Sequence, residues 1–220
     1  FFYEVGYQLG LNGDKYDQDL GNEKLAKYAS MYGLNEKSGI EIEESEPQIS
    51  DALSVVSAIG QGTNNFTTVG LARYVTTVAN SGTCYDLTLL DKVTDTSGNL
   101  LVNYSANVRN TIDMPQSYWN AIHQGMRGVV QNKKYYQDFG VEVAGKTGTA
   151  EEDKSRPNHG LFVGYAPYDN PEVSMAIRIA NGYSSDYACQ LSKQLMTVYF
   201  DLDENGALTD SQTALSLETV

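Results

Sequence analysis

Val141-Glu142-Val143-Ala144-Gly145-Lys146-Thr147-Gly148-Thr149-Ala150 decides the fold. Valine, alanine and threonine alternate through it with no helix period, so it predicts a strand over 141–150. Downstream, Leu161–Ala166 predicts a second strand. Asn170-Pro171 marks a turn, and a third strand follows with clean alternation. In it Val173, Met175, Ile177 and Ile179 point one way, and Ser174, Ala176 and Arg178 the other. Ser185 or Asp186 is then expected to cap a final helix buried through Ala188, Leu191, Leu195 and Val198. Helices on one face of an antiparallel sheet make an α+β domain.

Upstream, residues 22–32 predict a short helix capped by Asn22 and stopped at Gly33. Residues 36–50 have loop chemistry, and Leu53–Ile59 is a short apolar stretch running into the turn Gly60-Gln61-Gly62. Val69–Asn80 predicts a helix with Gly82 just past its end. Residues 85–95 and 100–104 flank Thr96-Ser97-Gly98-Asn99 and predict a β-hairpin. Pro115 opens a helix whose buried face is expected to run through Trp119, Ile122, Met126 and Val129.

The chain has 220 residues, 41% hydrophobic, and a net charge of −13. That is enough for one sizeable core or a large part of one. Such acidity excludes a phosphate-backbone binder, which needs clustered Lys and Arg, so no nucleic-acid partner is expected. No apolar run is long enough to cross a bilayer. The opening Phe-Phe-Tyr-Glu-Val-Gly-Tyr reads like the interior of an element, so the chain is expected to be part of a longer protein. Cys84 and Cys189 lie far apart without metal spacing and read as small buried residues, with a disulfide between them as the alternative. Residues 201–220 are polar and acidic and are expected to form a loose tail. Asp201-Leu202-Asp203-Glu204-Asn205-Gly206 starts like a calcium loop. Its twelfth place is Gln212, where a bidentate Glu belongs, so no metal is expected there.

The chemistry gathers at Lys146. A lysine on a strand edge offers a fixed positive charge, and Thr147 and Thr149 bring hydroxyl donors. Gly148 lets a substrate backbone approach, and the Thr149 N–H can help stabilise an oxyanion. Lys-Thr-Gly alone is a weak signal; its surroundings sharpen it. Phe2-Tyr3-Glu4-Val5-Gly6, Leu25-Ala26-Lys27-Tyr28 with Gly33-Leu34, and Lys37-Ser38-Gly39-Ile40 come first. Ala58-Ile59-Gly60-Gln61-Gly62 with Thr68, Leu71-Ala72-Arg73 and Ala79-Asn80-Ser81-Gly82-Thr83 follow. Val143–Glu151 and Phe162-Val163-Gly164-Tyr165-Ala166-Pro167 close the series. Together and in this order, over residues 1–200, they resemble the C-terminal portion of the transpeptidase domain of class B penicillin-binding proteins.

That resemblance implies the penicillin-binding protein/serine β-lactamase-like fold with its N-terminal part missing. It implies D,D-transpeptidase chemistry on peptidoglycan through an acyl-serine, without metal or organic cofactor. The implied partners are stem peptides ending in D-Ala-D-Ala, β-lactam antibiotics and the missing N-terminal part of the same domain. The implied location is the extracytoplasmic face of the bacterial cell membrane, with the anchor outside this chain. By the same resemblance Lys146 and Thr149 are catalytic candidates, and Thr147, Gly148 and Thr149 hold substrate. The family's Ser-x-x-Lys motif is absent, because no serine here has lysine three residues on. The isolated chain is therefore expected to be inactive. Ser105-Ala106-Asn107 has the form of the family's second motif but lies in a polar stretch out of place. A β-lactam sensor, or a carboxypeptidase or β-lactamase of the same fold, is the alternative. The intact Gly60-to-Thr83 match favours the transpeptidase. His159, just before the second strand, is a candidate for the cleft edge, while His123 lies among helix residues.

Overall fold

The computed structural model describes residues 1–203 and 205–208. The chain divides after Met114 into two compact units.

The first unit begins with α1 (Phe2–Leu9), a small hairpin of β1 (Leu11–Asn12) and β2 (Lys15–Tyr16), and α2 (Gln18–Met31). Asp17, not Asn22, caps α2. Its backbone is extended, and its carboxylate accepts the N–H of Asp19 (3.0 Å) and Leu20 (3.2 Å). An ionised side chain ahead of a helix meets the free N–H groups and the positive end of the dipole, so the helix starts four residues earlier than expected. Gly33 follows its end at φ +74. Short α3 (Ser54–Ser57) crosses α1 closely, with Ser54 Oγ donating to the Gly6 carbonyl at 2.9 Å.

Helix α4 (Thr68–Ala79) is capped by the Thr67 hydroxyl, which accepts the Gly70 N–H at 3.0 Å. It buries Val75, Val78, Ala79 and Arg73. Arg73 is only 1% exposed. Its guanidinium donates to the carbonyls of Lys37 (3.0 Å), Glu36 (2.8 Å) and Gly33, so one side chain organises the segment that leaves α2.

The expected hairpin is present but shorter. Strand β3 (Thr83–Asp86) precedes β4 (Lys92–Thr94), β5 (Leu100–Asn103) and β6 (Asn107–Thr111). β4 pairs with β5 around a turn held by the Asp95 carboxylate, whereas β3 pairs with β6. Residues 83–86 therefore find their partner more than twenty residues on, a pairing that local pattern cannot disclose.

The second unit opens with α5 (Gln116–Gln131), a single 3₁₀ turn at Lys134–Tyr136, and the sheet β7 (Ala144–Ala150), β8 (His159–Ala166), β9 (Val173–Ile179), antiparallel in that order. Helix α6 (Ser185–Tyr199) packs on β8 and α5 on β7. The core is Val130, Tyr136, Val143, Phe162, Ala166, Ala188, Cys189 and Met196, with Val173, Met175, Ile177 and Ile179 against it. The alternation of the third strand is thus as expected. The helix faces are not. On α5, Ile122 is exposed while Trp119 and Val130 are buried. On α6, Ala188, Cys189, Ser192 and Met196 face inward, and Leu191, Leu195 and Val198 are exposed, the last at 80%. Ser184, accepting the Asp186 N–H at 3.1 Å, is the cap. Both helices carry apolar residues on two faces, so periodicity alone does not choose the inner one.

Both cysteines are buried and free. Of the tail, Leu202 is buried, and the Gly206 carbonyl accepts the Gly140 N–H at 2.6 Å. Asp203 Oδ1 accepts the N–H of Asn205 and Ala207, so it shapes its own turn. Gln212 and the remainder of the expected tail lie outside the described residues.

Candidate active site

β7 carries Lys146, Thr147, Gly148 and Thr149, the residues singled out above, on one strand. Among the described residues β7 has one hydrogen-bonded neighbour, β8, with Lys146 opposite Val163, Gly148 opposite Leu161 and Thr149 opposite Gly160. The other edge leaves alternate N–H and C=O groups for an extended ligand. Lys146 and Thr149 are exposed, and Thr147 and Gly148 are half-buried. Lys146 Nζ donates to the Thr147 carbonyl at 2.6 Å, and among the described residues no carboxylate forms an ion pair with it.

The strand's two glycines differ in physical role. A Cβ on Gly145 would lie 2.3 Å from Phe162 Cζ, and one on Gly164 2.6 Å from Phe162 Cε1. Phe162 is fully buried, so those two glycines make room for its ring. A Cβ on Gly148 would meet only Leu161 Cβ at 3.4 Å, an ordinary contact. Packing does not require a glycine at 148. The open space above it is what an approaching backbone needs.

The far end of β7 is fixed by groups that sequence reasoning did not assemble. His159 is 7% exposed, so it does not line an open surface. Its Nε2 lies 2.7 Å from Glu152 Oε2, and its Nδ1 accepts the Asn181 N–H at 3.0 Å. Arg127 braces the beginning of β7 through the Glu142 carboxylate (2.6 Å) and the Val143 carbonyl (3.2 Å). Below the sheet, the Lys133 ammonium 2.7 Å from Asp186 holds that carboxyl under the usual carboxylate range. Burial pushes the Tyr165 phenol upward. Among the described residues no three His, Cys, Asp or Glu side chains gather into a metal-holding group.

The buried serines are all engaged structurally. Ser38 donates to Glu44, Ser54 to the Gly6 carbonyl, Ser57 to Ser50, and Ser192 to the Cys189 carbonyl. Among the described residues none of them hydrogen-bonds a lysine, as an activated nucleophile would.

Penicillin-binding protein 2B of Streptococcus pneumoniae (strain R6) is 27% identical over 204 residues, covering 80% of this chain and 30% of that protein. Its structure superposes with a TM-score of 0.75 at 23% identity, over 92% of this chain and 38% of that one. The peptidoglycan D,D-transpeptidase MrdA of Haemophilus influenzae is 26% identical over 240 residues, covering 91% of this chain and 34% of that protein. An imipenem acyl-enzyme complex of penicillin-binding protein A from M. tuberculosis shares the fold, with a TM-score of 0.69 and 22% identity over 82% of this chain and 40% of that one. The chain spans about a third of the length of the curated relatives it matches. A model of the penicillin-binding protein transpeptidase domain matches residues 14–197, and with that match over most of its length the chain belongs to that family.

Proposed function

We propose that residues 1–200 form the C-terminal portion of a D,D-transpeptidase domain whose nucleophilic serine lies outside this chain. The observation that carries the reading is the edge of β7, which among the described residues has no paired strand and carries Lys146 without an ion pair, two residues from Gly148, a glycine that packing does not need. In the parent protein the serine oxygen attacks the penultimate D-alanine carbonyl of a stem peptide. The bond to the terminal D-alanine nitrogen breaks, and that D-alanine leaves as the free amino acid after taking up a proton. An amine from a neighbouring stem then attacks the ester, forms the cross-link and returns the proton to the serine.

Lys146 supplies positive potential and assists proton movement. Thr147 and Thr149 hydrogen-bond the terminal carboxylate of a donor lying along β7. The Thr149 N–H contributes to the oxyanion hole. A β-lactam takes the same place and stops at the ester. The acyl-enzyme of the mycobacterial relative supports that outcome. The chemistry needs no metal or organic cofactor. The parent works on the outer face of the bacterial cytoplasmic membrane, anchored by a segment outside this chain.

The test is a labelled gel with a fluorescent penicillin. This chain alone is expected to take no covalent label. Co-expressed with a polypeptide carrying Ser-x-x-Lys and Ser-x-Asn, it is expected to form a complex labelled on that partner. Stoichiometric label mapped to a serine of this chain alone would refute the reading.

A further inference from the structure

The inference concerns His159 and rests on the reading of β7 as the donor-binding edge. A backbone N–H can only donate, so the Asn181 N–H at 3.0 Å requires a lone pair on His159 Nδ1. The ring proton is therefore on Nε2, and Nε2–H donates to Glu152 Oε2 at 2.7 Å. Arg178 Nη2, 3.2 Å from the same nitrogen, is then a charged neighbour of the pair and not a donor to the ring.

The two partners of this ring sit on different turns. Glu152 follows β7 directly, two residues past Ala150 and three past Thr149. Asn181 follows β9. In register, Ala150 faces His159, and Gly160 faces Ile179, so both turns meet at the end of the sheet where Thr149 stands. The second turn is strained. Tyr183 sits at φ +62, which a bulky side chain rarely takes, while Asn181 at φ +51 is a residue type that accepts this region more readily. Strain of this kind persists only where the surroundings over-determine it. Here the His159 ring holds the Asn181 N–H, and the Asn158 carbonyl accepts the Tyr183 N–H at 3.0 Å. A buried imidazole with both nitrogens engaged is a rigid strut between the turns, with no counterpart in the hydrophobic core.

We propose that His159 is a positioning residue: through Glu152 it fixes the exit of β7, and so the direction of the Thr149 N–H and hydroxyl toward the bound acyl donor. It touches neither substrate nor reacting atoms. Glu152 is mostly exposed, so its truncation disturbs the bond without opening the core.

The test uses the full-length parent protein and stopped-flow acylation by a fluorescent penicillin. Glu152→Ala is expected to slow the saturated acylation step about five- to tenfold, because small misplacements at a reacting centre are amplified in rate. The half-saturating concentration is expected to move less than about twofold, since binding contacts are kept. The melting temperature is expected to hold. Glu152→Gln keeps an oxygen acceptor for Nε2–H and is expected to restore the rate. His159→Gln with Glu152→Ala is expected to be no slower than His159→Gln alone, as residues acting through one bond are non-additive. Wild-type acylation by Glu152→Ala, or a Glu152→Gln as slow as Glu152→Ala, would overturn the proposal. Lys146→Ala run in parallel separates the two failures. If it too acylates normally, the site reading falls; if it is slow while Glu152→Ala is not, only the role of His159 falls.

Discussion

Alanine placed at Gly145 and at Gly148 makes the same chemical change three residues apart and should give opposite results. At 145 the new methyl carbon would lie 2.3 Å from Phe162 Cζ and 2.8 Å from the Val163 carbonyl oxygen. Non-bonded carbons prefer roughly 3.5–4.0 Å, so the ring must retreat by more than about 1 Å. Phe162 is fully buried in the core and has nowhere open to go. Overpacking of this kind destabilises by about 1–3 kcal/mol. At 148 the methyl meets Leu161 Cβ at 3.4 Å, which the strand absorbs. Losing a glycine from the unfolded chain there stabilises by about 0.4–1 kcal/mol. The two variants should therefore differ by about 1.4–4 kcal/mol, read as melting temperatures of the full-length parent protein. Acylation should rank them the other way. A methyl at 148 occupies the space over which a donor lies, and one misplaced methyl in a binding site is worth about 1–3 kcal/mol, or roughly 10- to 200-fold in rate. A Gly148→Ala protein as unstable as Gly145→Ala, or one acylated by a fluorescent penicillin at the wild-type rate, would refute the division of roles between these glycines.

Lys146→Ala removes an exposed side chain that, among the described residues, bonds only to its own strand. Stability should stay within about 0.5 kcal/mol. Acylation should fall about 10²–10³-fold, as for other groups placed at a developing charge; unchanged acylation removes Lys146 from the site. Arg73→Ala strips the carbonyls of Gly33, Glu36 and Lys37 of their buried donor. Relief of the guanidinium's own burial offsets part of the loss, leaving a net destabilisation of about 1–3 kcal/mol, the cost of buried carbonyls left without a donor. Arg73→Lys should recover little, because an ammonium lacks the planar fork; a thermal shift below about 1 kcal/mol for Arg73→Ala would contradict the role. Asp186 is held below 3.8, first by the Lys133 hydrogen bond. A depressed carboxyl stabilises above its unfolded value and loses that contribution as pH falls below 3.8 through the folded value. Asp186→Asn should therefore be less stable than wild type at neutral pH, by under about 1 kcal/mol for so exposed a pair. The gap should close in acid, and a gap that widens below pH 3.8 would refute it.

The readings that held share a physical basis. The third strand was legible because its inward residues, Val173 to Ile179, meet the core at period two, and one strand's pattern is enough to show it. The start of α5 was legible because Pro115 acts within a few residues of itself. The misreadings needed information from elsewhere in the chain. Asn22 and Asp17 are both respectable caps, and the choice between them depends on the β1–β2 hairpin immediately before Asp17. Strand β3 reads as the first arm of a hairpin until β6 claims it. On α6, Leu191, Leu195 and Val198 make a better apolar stripe by composition than Cys189, Ser192 and Met196. Yet the latter face β8, because Ser192 can turn its hydroxyl to the Cys189 carbonyl and to Tyr136.

The site divides in the same way. Seven consecutive residues were enough to put Lys146, Thr147 and Thr149 on one strand, and β7 is that strand. His159 could be placed beside that strand but not given a role. Its role follows from Glu152 and Asn181, seven residues before it and twenty-two after, and from which of its nitrogens each one meets. The glycines show the boundary most sharply. In Ala-Gly-Lys-Thr-Gly-Thr-Ala, Gly145 and Gly148 are indistinguishable by composition, period or propensity. Only their surroundings separate them. The Phe162 ring and the Val163 carbonyl lie against the first, which the fold therefore requires, whereas a side chain at the second would meet only Leu161, at an ordinary contact distance.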